Sequence, residues 1–429
     1  MKKKYRIILY TSIFLLCVVA SIILVVKKSN SVYEEESKPK VVKHKSMLSM
    51  NLEQTAGAGD YKTVTQSKWP TEGYKFNAEL SRCENGSTLS WDDTKKAVIV
   101  SGNLSDKCYV YFDIYQPTLA EYIKSQYTGT QGENNIYYHD SDLANGAGDN
   151  SYRYAGANPN NFVCFGSDTS PCPTDNLYRI IGVFGENYHG VTGKQLVKLI
   201  KYDYMTTDEL GTDGDYSQTY KEWGMDSTYK GTYGDGERIG VYYWNYKATG
   251  SATNTWSTSL LNKTNLNTNF INNIGTTWAN KIATVTWKVG GNTYANISDV
   301  VPATTYQNEI VNPVTTNTTD NATTYSAKIG LMYVSDYGFA ASPDAWTLTM
   351  SSYNNTTATN NNWMYMGLYE WTFSRYADYS YRAFFVYDDG YVSNGSVNGY
   401  SGVRASFSLE SSVSYVSGSG SMSDPIVIN

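Results

Sequence analysis

Trp363–Asn429 reads WMYMGLYEWTFSRYADYSYRAFFVYDDGYVSNGSVNGYSGVRASFSLESSVSYVSGSGSMSDPIVIN. Short apolar runs (Ala383–Tyr387, Tyr391–Val392, Ala405–Leu409 and Ile426–Ile428) alternate with Asp-Gly, Asn-Gly, Gly-Tyr and Ser-Gly turn signals. Apolar runs joined by Asp-Gly or Asn-Gly are what β-hairpins look like in sequence. The stretch therefore predicts a loop-rich antiparallel sheet closing the last domain, with turns at Asp389-Gly390 and Asn394-Gly395. Trp363, Trp371, Arg382 and Arg404 stand at its punctuation points.

Composition extends the same reading outward. Tyr supplies 40 of the 429 residues and only 17% are charged, which favours many short strands and polar turns over a helical bundle. The formal net charge is -6, and because the first 28 residues hold six Lys and Arg and no acid, the remainder is more acidic still. Phosphate contacts need clustered Lys and Arg, so a nucleic-acid partner is excluded.

Four regions follow in order. Residues 1–28 carry a basic flank (Lys2, Lys3, Lys4, Arg6) and an uncharged run from Ile7 to Val26, which matches the length of a membrane-spanning helix. They predict a short cytoplasmic tip and an uncleaved signal-anchor, making a single-pass protein of the cell membrane with its bulk outside the cytoplasm; a signal peptide cleaved at Val18-Val19-Ala20 is the alternative. Cys17 reads as an ordinary membrane residue. Residues 29–46 mix charge blocks without apolar periodicity and predict a solvated stalk. Residues 47–115 predict a small β domain, in which Cys108, Val110, Phe112 and Ile114 alternate with polar or aromatic neighbours. Residues 116–429 open on a capping box, Thr118 with Glu121, and form the large domain. Within it Trp256 and Leu260, then Leu266, Phe270 and Ile274, stand at four-residue spacing and predict one amphipathic helix, or two, on the sheet.

Chemistry-bearing residues are few. Cys83 and Cys108 are the cysteines of the small domain, and Cys164 and Cys172 bracket a short loop. Outside the cell both pairs read as structural disulfides. His44, His139 and His189 sit in no triad-like pattern, so no catalytic residue is assigned. Asp208, Glu209, Asp213 and Asp215, or Asp140, Asp142 and Asp149, could offer oxygens to Ca²⁺, but no EF-hand spacing is present and a solvated acidic turn outweighs a metal site. No resident metal or other cofactor is therefore assigned. The stronger signal is a concentration of Tyr, Arg and Asn around the terminal hairpins: Arg375, Tyr376, Asp378, Tyr379, Tyr381, Arg382, Asn394, Asn398 and Tyr400. Tyr and Arg give rigid amphipathic area and directional donors, the chemistry of a ligand-binding surface. Trp371 and Arg404 read instead as structural, a core ring and a buried, hydrogen-bonded guanidinium.

The order E-W-T-x-S at Glu370–Ser374, R-x-F-x-V at Arg382–Val386, Asp389-Gly390, then Gly402-Val403-Arg404 before an apolar strand resembles C-type-lectin-like domains. The subtype is that of formylglycine-generating-enzyme-like proteins and the variable proteins of diversity-generating retroelements. Residues 116–429, through LAEYIKSQYTGT, NSYRYAGANPNNFVCFGSD, LYRIIGVFG, LGTDGDYS, KIGLMYVSDYGFA and SGSGSMSDPIVI, further resemble membrane-anchored surface proteins of gut Firmicutes. The resemblance implies an α+β lectin-like domain whose terminal hairpins expose the ligand face. The enzymes of that group use cysteines near those hairpins, and this chain has none after Cys172. The expected function is non-catalytic binding of an extracellular glycan or protein. The alternatives are a structural envelope protein, or an extracytoplasmic enzyme that would require convergent titratable groups.

Overall fold

The computed structural model describes residues 48–65, 68–70, 73–292, 300–313 and 322–429. The chain divides after Tyr115 into two compact units, Met1–Tyr115 and Gln116–Asn429.

In the first unit, β1 (Leu48–Glu53), β2 (Tyr61–Val64), β3 (Tyr74–Cys83) and β6 (Cys108–Ile114) form a sheet in the order β2-β1-β6-β3, while β4 (Thr88–Asp92) pairs with β5 (Ala97–Ser101). The alternation along β6 sends Cys108, Val110 and Phe112 inward. Phe112 is the centre of the core, with Trp69, Phe76 and Trp91 packed around its ring. Cys83 and Cys108 are direct partners across β3 and β6 and form a disulfide.

In the second unit, one sheet runs in the order β17-β22-β11-β10-β8-β7, with β9 (Phe162–Cys164) added to β10. Its strands are β7 (Ile136–His139), β8 (Ser151–Tyr154), β10 (Leu177–Phe184), β11 (Leu196–Lys201), β17 (Ile329–Gly330) and β22 (Ser406–Ser408). Both central strands, β10 and β11, are buried along their whole length, so even Arg179, Lys198 and Lys201 lie inside. The second sheet runs β12-β13-β21-β18-β19-β20, built from β12 (Tyr216–Thr219), β13 (Gly240–Tyr243), β18 (Glu370–Tyr376), β19 (Arg382–Val386), β20 (Val392–Ser396) and β21 (Tyr400–Gly402). Short pairs, β14 (Val285–Lys288) with β16 (Thr324–Ala327) and β23 (Tyr415–Ser417) with β24 (Val427–Ile428), complete the unit, and β15 (Gly291–Asn292) runs beside β18. Cys164 and Cys172 close their loop as a disulfide.

The expected α+β class is corrected: the structure is mostly β-sheet, with 33% strand and 21% helix. Its helices are fragments. The capping box of Thr118 and Glu121 starts a helix only seven residues long. The segment expected to form an amphipathic helix breaks into a 3₁₀ turn at Trp256–Thr258, a π-helical run at Leu261–Phe270 and two short helices after it. Its Asn side chains explain the break. Asn262, Asn265 and Asn267 are turned to backbone carbonyls, a use of Asn that competes with regular helix. Among the described residues no helix is long and apolar enough to cross a membrane. The expected transmembrane helix and stalk lie outside the described residues.

The terminal hairpins differ from expectation in one place. Asp389-Gly390 turns β19 into β20, but Asn394-Gly395 lies inside β20, opposite Phe384 and Ala383. The next reversal is at Val397–Gly399, where the Gly399 N–H donates to the Ser396 carbonyl.

Candidate functional site

The second sheet of the large unit carries a continuous run of seven partly exposed aromatic rings. In order they are Tyr246, Tyr243, Tyr400, Trp223, Tyr369, Tyr387 and Tyr391, with successive ring centroids 4.5, 5.9, 5.2, 5.1, 4.8 and 4.3 Å apart. Such separations are those of attractive offset and edge-to-face pairs.

Sheet register assembles the strip. Antiparallel pairing of β13 with β21 sets Tyr243 opposite Tyr400, and the parallel match of Glu370 with Gly402 brings Tyr369 alongside. Phe385 lies behind Tyr369 and Tyr387 as a buried backing ring. Trp223 comes from a separate turn, Tyr220–Trp223, closed by the capping box of Thr219 and Glu222 and tied to the sheet where the Tyr369 N–H donates to the Tyr220 hydroxyl at 3.0 Å. At one end the Asp215 carboxylate accepts from the Tyr246 and Leu261 N–H groups and fixes the loop that carries Tyr246. At the other end the β19–β20 turn is pinned by the Tyr337 hydroxyl, which donates to the Gly390 carbonyl at 2.7 Å. Gly390 has φ +98°, and a Cβ there would lie 2.2 Å from that of Ala358. Only glycine fits that turn.

Carboxyl groups flank the Tyr369–Tyr391 end. Asp388 is hydrogen-bonded to Asp226, and its pKa is pushed up to about 6 by burial first, then by that bond and by the charges of Asp226 and Asp389. Burial also acts to raise Asp226, but hydrogen bonds from Asp388 and Thr228 outweigh it and hold Asp226 below the ordinary value. Two carboxyls in contact share one proton in this way. Their direct contact does not suit glycoside hydrolysis, in which the two acids stand roughly 5 Å or more apart. What the strip offers is broad apolar ring area edged by phenol hydroxyls and carboxylate acceptors.

The residues expected from the sequence divide among the strip, the opposite face and the buried interior. Tyr400 is on the strip, and Asn398 stands exposed near its Tyr246 end, accepting from the Lys247 N–H. Strand alternation turns Arg382 and Phe384 to the face opposite Phe385 and Tyr387. There Arg382 donates to Asn394 at 2.8 Å and lies over the rings of Tyr379 and Tyr381, which are 47% and 42% exposed. Asp378 is exposed beside them. Asn254 pins this loop by donating to the carbonyls of Tyr376, Tyr379 and Arg382. Arg375 and Tyr376 are buried, and burial lowers Arg375 to about 10. Trp371 is buried, donates to the Tyr242 carbonyl and stacks edge-on to Phe385. Arg404 is buried and bonded to Glu370, Met364 and Tyr202.

The sequence reading missed Trp223, Tyr243, Tyr246, Tyr369, Tyr387 and Tyr391, together with Asp226 and Asp388. Nothing local in the sequence ties residue 223 to residue 400. His139 and His189 are both buried and hydrogen-bonded, His139 accepting from the Ala147 N–H and His189 from the Val191 N–H. His139 packs against Phe339 and Trp346, and burial drives its pKa well below the ordinary value. Among the described residues no group of three or more His, Cys, Asp or Glu side chains is placed to hold a metal ion. Asp149 and Asp215 instead accept from neighbouring Ser, Arg and backbone donors. A scan of protein families and searches of curated proteins and of solved structures found no match to this chain.

Proposed function

We propose that this is a membrane-tethered, extracytoplasmic surface protein that binds a glycan, without catalysis, along the aromatic strip. The run of seven rings from Tyr246 to Tyr391 carries the reading. Aromatic faces match the apolar C–H faces of sugar rings, while phenol hydroxyls and carboxylates match their hydroxyls. Partly exposed Tyr and Trp held rigid by a sheet lose little entropy on binding. Two disulfides support an oxidising compartment, and the uncharged run Ile7–Val26 supports the tether. The lectin-like resemblance of the terminal hairpins agrees with a binding role.

The test is a glycan array probed with the purified full chain, with Ca²⁺ and with chelator. Binding that is lost in Trp223→Ala and Tyr400→Ala, and kept in Tyr379→Ala and Tyr381→Ala, supports the strip. Binding lost only in the Tyr379 and Tyr381 variants moves the ligand to the opposite face. Silence across the array favours an envelope role without a small ligand.

A further inference from the structure

Lys198 and Asp336 form an ion pair in the interior of the large unit, with Lys198 Nζ 2.5 Å from Asp336 Oδ2 and both side chains at most 1% exposed. Tyr188 bridges the same two groups. It accepts from Lys198 Nζ at 2.8 Å and donates to Asp336 Oδ1 at 2.6 Å. Arg153 Nη1, which has no hydrogen-bond partner, stands 3.8 Å from Oδ1. The rings of Tyr188, Trp287 and Tyr333 surround the ammonium, their centroids 4.5 to 5.2 Å away. Beside it lies a cavity of about 10 Å³, lined by Lys198, Tyr188, His189, Trp287 and Tyr333, the size that holds one water.

As an ion pair this arrangement is costly, since a buried pair must recover two desolvation penalties. As a reacting pair it has all the parts. We infer that Lys198 and Asp336 condense into an intramolecular amide that cross-links β11 to the short helix Val334–Phe339. Burial lowers the Lys198 pKa against the pull of Asp336, which favours the free amine that can act as a nucleophile. The proton moves from Nζ to Oδ2. The nitrogen lone pair then attacks Cγ, while the Tyr188 hydroxyl and Arg153 Nη1 hold the charge that develops on Oδ1. A second proton leaves the nitrogen for Oδ2, the Cγ–Oδ2 bond breaks, and one water departs. The ammonium and carboxylate thus become one amide and one water, and no oxidant or co-reactant is needed. Effective molarities of oriented intramolecular reactions, on the order of 10⁵–10⁸ M, make such a condensation reachable without an external enzyme.

Glu309 positions the acceptor and does not touch it. Its carboxyl receives the Val334 and Ser335 N–H groups and the Ser374 hydroxyl, and so anchors the start of the helix that presents Asp336.

The test is peptide mapping and intact mass of the purified full chain under denaturing conditions. The expected result is a branched peptide joining the segments of Lys198 and Asp336, lighter than their sum by one water. Lys198→Arg must abolish it, and Tyr188→Phe must slow its appearance in freshly made chain. In Asp336→Asn the same branched peptide would form with loss of ammonia. Recovery of the Lys198 and Asp336 peptides separately and at full mass from the unaltered chain overturns the inference. That readout needs no variant to fold.

Discussion

Arg404 Nε donates to Glu370 Oε1 at 2.9 Å with both side chains buried, and the same guanidinium reaches the carbonyls of Met364 and Tyr202. This pair holds β18 beside β21, where the Gly402 N–H donates to the Tyr369 carbonyl, and so keeps Tyr369 and Tyr400 on either side of Trp223. Burial raises the Glu370 pKa and Arg404 opposes the rise. Arg404→Ala leaves that carboxyl unpaired inside the sheet, and the expected loss is ~3–5 kcal/mol of folding stability, read from urea unfolding. A loss under 1 kcal/mol would mean that the pair is not a structural anchor.

Gly390 provides a second mechanical test. Gly390→Ala asks an L-residue to adopt φ +98° and to overlap Ala358. The substitution should cost ~1–3 kcal/mol in stability. It should also weaken ligand binding, because Tyr387 and Tyr391 flank that turn.

Asp388 and Glu309 should each lower stability as pH rises from 5 to 8, against the opposite contribution of His139, which is held neutral by burial while its unfolded form is protonated below about pH 6.5. Free carboxyls ionise near pH 4, whereas native Asp388 titrates at about 6 and Glu309, raised by burial, at about 7. Between those values the native state holds protons that the unfolded chain has released, so their contribution is full below pH 4 and is lost as pH passes the native values. Carboxylates held below their ordinary pKa, such as Asp106 and Asp175, act only in more acid solution and do not oppose this slope. Urea midpoints at pH 5 and pH 8 measure the balance, and Asp388→Asn with Glu309→Gln should shift the pH 5-to-8 change toward greater stability at high pH. A pH dependence left unchanged by the two substitutions contradicts these assignments.

Local features of the fold were legible in the sequence because their causes are local. The alternation in β6, the capping box at Thr118 and Glu121 and the turn at Asp389-Gly390 are each set by neighbouring residues. The stretch predicted as helical over Trp256–Ile274 buries Leu261, Leu266 and Phe270, but it is split after the turn at Trp256–Thr258 and wound as a π-helix, neither of which four-residue apolar spacing registers. The strip was illegible for a different reason. Its rings come from residues 223 to 400 and meet only through the register of β13, β21 and β18, and with 40 Tyr in the chain no single ring stands out. Of the residues expected at Arg375–Arg382, the loop keeps Tyr379, Tyr381 and Arg382 in contact on one face while Arg375 and Tyr376, at the end of β18, are buried.

The central claim is that the strip is the ligand surface, and the most direct measurement is glycan affinity of the full chain against Trp223→Ala. Trp223 joins the two halves of the strip, touching both Tyr400 and Tyr369. Truncating a central aromatic anchor typically costs about 2 kcal/mol or more, so affinity should fall at least roughly 30-fold with folding intact. Unchanged affinity in a folded Trp223→Ala protein would contradict the account.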